Sequence, residues 1–112
     1  VTDIWGLSGQ GRQFARVTSS LITSNNAAYT KKNGNSVQLT MTDQKFLSAL
    51  EFMHKLTWSD KVISTDEKWT EYDTLSLFAQ GKSMFYITTN WWIRNLQKMV
   101  DDTVISVLPV PI

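Results

Sequence analysis

The stretch from Thr70 to Leu108 constrains the fold of this chain more than any other. Thr70, followed three residues later by Asp73, approximates a capping box, in which each side chain satisfies the other residue's backbone amide at a helix start. Tyr72, Leu75, Phe78 and Ala79 follow as an apolar stripe, and Gly81 stands where a helix ends on a left-handed residue. Ser83 to Thr88 is a continuous apolar-rich run, long enough for one buried strand. Asn90 is placed to cap a further helix reaching to near Val100. Asp101-Asp102 breaks that helix, and Thr103 to Leu108 reads as a last strand before the prolines.

The first part of the chain has the same alternation. Val1 to Leu7 reads as a short strand entering a Gly-rich turn at Ser8-Gly9-Gln10-Gly11. Phe14, Val17 and Leu21, widened by Ala15, Thr18 and Ile22, make an amphipathic helix that ends near Ser24-Asn25-Asn26. Ala27 to Lys31 and Ser36 to Thr40 flank Lys32-Asn33-Gly34-Asn35, and Asn-Gly supplies the positive φ angles of a tight hairpin turn. A helix capped by Thr42 or Asp43 carries Phe46, Ala49, Leu50, Met53 and Leu56 on one side. A polar loop is expected from Thr57 to Lys68. Strands alternating with helices imply an α/β fold, with about four helices around a small mixed sheet.

Of 112 residues, 42% are hydrophobic and 19% charged, which is enough apolar material for one modest core. The net charge is +1, and the cations are spread along the chain. This is not the basic stripe that neutralises phosphates, so no nucleic-acid partner is expected. With no cysteine there is no disulfide framework, thiolate metal site or cysteine nucleophile. The chain runs from Val1 to Val110-Pro111-Ile112, and the expectation is a segment cut from a longer protein.

Catalytic chemistry is poorly supplied. The single histidine, His54, falls inside a helix off its apolar stripe, the position of a surface or boundary histidine rather than a general base. Asp60, Asp66, Glu67, Glu71 and Asp73 form an acidic stretch, but Asp73 has a capping role and nothing fixes two of the carboxylates at hydrolytic spacing. Gly6, Gly9 and Gly11 precede a helix without a P-loop lysine or the dinucleotide fingerprint, so they read as a flexible turn. No catalytic residue, metal ligand or cofactor is expected.

Aromatic content is the exception to this plainness, with five Trp, five Phe and three Tyr. The densest constellation is Asn90-Trp91-Trp92-Ile93-Arg94-Asn95. At about 100° per residue, Ile93, Leu96 and Val100 define the core face with Trp92 on its flank. Trp91 then points roughly 130° away, on the side of Arg94 and Asn95. Covering such an outward ring contributes roughly 1–3 kcal/mol, and the cover is a sugar, another part of the same protein, or a partner. The amides of the helix start are donors for hydroxyl groups, which favours a sugar.

Leu75 to Pro111 resembles the family 1 extracellular solute-binding proteins, the maltose-binding-protein-like group. The resemblance rests on Phe78-Ala79-Gln80-Gly81-Lys82, then Ser83-Met84-Phe85-Tyr86-Ile87, then Trp91, and finally Val104 to Pro111 with its Pro-x-Pro ending. Upstream, Tyr29 through Asn33-Gly34-Asn35 to Ala49-Leu50-Glu51-Phe52 resembles the hairpin and helix that precede this block, so the likeness covers most of the chain. The chain departs from the pattern in having Met84-Phe85 after Gly-Lys and Thr88-Thr89-Asn90 before the Trp.

The resemblance implies that residues 1–112 are the central part of the second lobe of a two-lobed, periplasmic-binding-protein-like molecule. Such a molecule captures a sugar or oligosaccharide outside the cell membrane and docks on an ABC importer permease, with any membrane anchor outside this segment. It also implies Trp91 as the stacking platform, with Gln10 and Arg12 near the cleft as hydrogen-bond donors. Two rivals stand beside it, a glycosidase with the same aromatic platform and an interaction module using the Trp91 surface.

Overall fold

The structure is a computed structural model and describes residues 4–8, 12–64, 70–100 and 105–109, with side chains for all of these except 12, 13 and 71. In chain order it contains β1 (Trp5–Leu7), α1 (Arg12–Ser24), β2 (Thr30–Asn33), β3 (Ser36–Leu39) and α2 (Gln44–His54). A π-helical turn (Lys55–Ser59), α3 (Glu71–Ala79), β4 (Ser83–Phe85), a 3-10 turn (Asn90–Trp92) and α4 (Ile93–Met99) follow. Among the described residues this is a mixed α/β arrangement of four α-helices, a parallel pair β1–β4 and an antiparallel hairpin β2–β3.

Helix ends are where local chemistry acts most directly. Thr70 and Asp73 form the full capping box: the Thr70 amide donates to Asp73 Oδ2 (2.6 Å) and the Asp73 amide to Thr70 Oγ1 (3.3 Å). At the other end of α3, the Lys82 amide donates to the Leu77 carbonyl (2.9 Å) and the Gly81 amide to that of Phe78 (3.0 Å), with Gly81 at φ 71°. This is a Schellman motif with glycine at its left-handed position. The C-terminus of α1 repeats it with asparagine: Asn26 has φ 54°, and the Ala27 and Asn26 amides donate to Ile22 and Thr23. Asp43 occupies the N-cap position of α2 but makes no side-chain capping bond.

The buried face of α1 is turned relative to the expected stripe. Val17 and Ile22 are buried, whereas Phe14 lies at the exposed edge. Three hydroxyls of this helix are satisfied within it, Thr18, Ser20 and Thr23 each donating to the carbonyl four residues back at 2.8–3.0 Å, while Ser19 Oγ hydrogen-bonds Tyr29 Oη at 2.9 Å. α1 packs on α2. One core cluster joins Ile22, Phe46 and Ala49, and a second joins Val17, Met53 and Ile63 with Leu7, Leu21, Leu56 and Ile87 around it. In α3 the buried pair is Thr74 and Leu75, while Tyr72, expected on the stripe, is exposed.

Three features differ from expectation. The polar loop expected from Thr57 is neither wholly loop nor wholly polar, since α2 continues through the π-helical turn to Ser59. The Asp60 amide closes that turn on the Lys55 carbonyl (2.9 Å), and Lys55 Nζ lies 3.4 Å from Asp60 Oδ2. Ile63, only 1% exposed, then forms a parallel bridge with Leu7, so Ile63, β1 and β4 lie as three parallel lines with β1 in the middle. The expected strand at 83–88 is three residues long, and Met84 and Phe85 are exposed rather than buried. The described part of the last expected strand, residues 105–108, pairs with nothing in the sheet.

The hairpin matches its expected place but not its expected turn. Asn33 pairs with Ser36, so the loop is Gly34-Asn35 and only Gly34, at φ 59°, takes a positive angle. Glycine at the first loop position is the type II′ solution, whose backbone twist matches the strands.

Candidate functional site

Asn90–Trp92 forms one 3-10 turn before α4 begins at Ile93. Thr89, not Asn90, holds the N-cap position; its carbonyl accepts from the Trp92 amide (3.1 Å), and it makes no side-chain capping bond. The amides of Asn90 and Trp91 precede that of Trp92, the first intrahelical donor, as at any helix start.

Trp91 is 59% exposed. Its ring centroid lies 4.9 Å from that of Trp92, with 37° between the planes. The outward ring is therefore backed by its neighbour, at a separation typical of attractive aromatic pairs. Trp92 is half-buried, packs against Trp91 and belongs to neither buried cluster. Arg94 is exposed, like Trp91, and Asn95 is half-buried. Gln10 lies outside the described residues. Arg12 opens α1, and its side chain lies outside the described set.

Residues 87–89, immediately before the turn, separate two recesses. One, of about 380 Å³, is lined by Ala15, Arg16, Ser19 and Ser20 of α1 together with Ile87, Thr88 and Thr89. The other, of about 550 Å³, is apolar, with Phe78, Tyr86, Ile93, Leu96, Val107 and Leu108 among its walls. Phe78 and Tyr86 stack there, with centroids 5.8 Å apart and planes 26° apart. The sequence signal for this second recess was present in the two apolar runs 83–88 and 103–108. The first is expected as one buried strand and the second as a last strand, but pairing takes only Ser83–Phe85, and Tyr86, Ile87, Val107 and Leu108, outside the paired strands, are left lining a cleft.

His54 ends α2 on the surface. Of the acidic stretch, Asp60 is paired with Lys55 and Asp73 is used in capping; Asp66 and Glu67, and the side chain of Glu71, lie outside the described residues. The two Thr70 hydrogen bonds, backbone first, hold the Asp73 carboxyl below its ordinary value. Among the described residues, no group of three or more His, Cys, Asp or Glu gathers where a metal ion would sit. Among the described residues, no helix is long and apolar enough to cross a membrane. No protein-family model matches the chain, and neither a curated protein nor a solved structure matches it.

Proposed function

We propose that this chain is part of a non-catalytic, extracellular sugar-binding protein of the maltose-binding-protein-like kind, serving an ABC importer. The observation that carries the proposal is the Trp91 ring, exposed at a helix start and backed by Trp92. A flat ring held this way presents one face to the C–H face of a sugar. Arg94, exposed like Trp91, adds a donor for the sugar's hydroxyls. The permease partner and the extracellular location rest on the family resemblance of Phe78 to Lys82, Trp91 and the Pro-x-Pro ending.

The test is calorimetric titration of the full-length protein with a panel of neutral mono- and oligosaccharides, before and after Trp91→Ala. Loss of the platform should weaken binding by roughly 1–3 kcal/mol, or about 5- to 150-fold. Unchanged affinity removes Trp91 from the site. A second reading, an interaction module, is favoured by the other exposed apolar side chains, Met84, Phe85 and Trp58 among them. It predicts self-association or partner capture that Trp91→Ala abolishes, with no sugar bound by the intact protein.

A further inference from the structure

We propose that the cleft between the end of α3, the first turn of α4 and residues 105–108 is a second binding site, one for a neutral, flat, largely apolar small molecule. Its volume, about 550 Å³, lies in the range of small-molecule sites. Its described lining carries no Asp, Glu, Lys or Arg side chain, although charged groups make up 19% of the chain. A charged ligand would leave water there without a counter-charge, at a cost of several kcal/mol, so the cleft selects against ions.

The stacked Phe78–Tyr86 pair gives the cleft a flat aromatic wall, and Ile93, Leu96 and Val107 supply aliphatic contact. Asn90, Gln97 and Ser106 place neutral donors and acceptors in the same lining, suited to a hydroxyl or carbonyl on the ligand. This is the composition of a site that recognises a ring system by apolar area and orients it by a few hydrogen bonds. The site is separate from the Trp91 platform, because neither Trp91 nor Trp92 lines the cleft.

The neutral fluorophore N-phenylnaphthylamine is the probe. Titrated into the full-length protein, it should show saturable, one-to-one enhancement of emission. Val107→Arg changes a side chain that is 69% exposed and sets a guanidinium in the uncharged wall. It should weaken probe binding at least tenfold while leaving the circular-dichroism melting curve in place. If Val107→Arg unfolds the protein, Gln97→Trp, from an exposed position on α4, serves instead by filling the cleft. Val37→Arg, on the exposed hairpin, should leave binding unchanged. Three outcomes overturn the proposal: non-saturable enhancement, equal loss with Val37→Arg, or a concentration-dependent dimer in sedimentation equilibrium that excludes the probe and disappears with Val107→Arg.

Discussion

Gly81→Ala isolates a single physical cost. A Cβ built on Gly81 meets no atom within 4 Å, so the substitution creates no clash. What remains is the backbone angle: φ is 71°, where an L side chain costs about 1–2 kcal/mol. Alanine also restricts the unfolded chain, which returns about 0.4–1 kcal/mol, so the expected net loss is near 1 kcal/mol. At this chain length that corresponds to roughly 4–8 °C in Tm by differential scanning calorimetry. Gly81→Asn should lose less, because asparagine tolerates the left-handed region better.

Gly34→Ala is the internal comparison, since Gly34 also has a positive φ and open space around it. Every position of β2 and β3 is exposed, so the hairpin can open without disturbing the two core clusters. Its loss should appear as faster amide exchange at Thr30–Leu39 more than as a lower Tm. Gly81, by contrast, joins α3 to β4, which pairs with β1 beside Ile63. Equal effects of Ala at both glycines, or a larger cost for Gly81→Asn than for Gly81→Ala, would refute this reasoning.

Ile63→Ala should destabilise by about 2–5 kcal/mol in urea denaturation, since the side chain is 1% exposed and packs with Val17 and Met53. Asp73 gives a pH signature: its folded-state pKa lies below the ordinary 3.8, so its contribution is present above 3.8 and disappears as pH falls through the lowered value. Thermal melts of Asp73→Asn should therefore lose the part of the acid-side slope that the parent protein shows below pH 3.8.

What was legible in the sequence was local. The capping box at Thr70 and the stop at Gly81 depend on residues within five positions of one another, and both act as the sequence implied. Ile63 was not legible, because its burial comes from bridging Leu7, 56 positions earlier in the chain, and the apolar pair Val62-Ile63 is too short to show a periodicity. The π-helical turn was missed for a related reason. Thr57 and Ser59 look like loop residues, yet the Thr57 hydroxyl is satisfied by the Met53 carbonyl at 2.8 Å, which lets a polar side chain sit buried in helical backbone.

At the candidate site, one geometric assumption divides what survived from what did not. An α-helix advances about 100° per residue, whereas a 3-10 turn advances about 120°. Relative to Ile93, this moves Trp91 by only about 20–40° over two steps, and it stays outward, at 59% exposure. Asn90 is three steps away, and in 3-10 geometry positions three apart eclipse. Its side chain is thereby carried from an expected cap onto the same edge as Ile93, and both residues line the apolar cleft. The same 3-10 turn thus points its tryptophan away from the cleft and its asparagine toward it, which is why sugar stacking at Trp91 and neutral-ligand binding beside Asn90 can be tested independently on one chain.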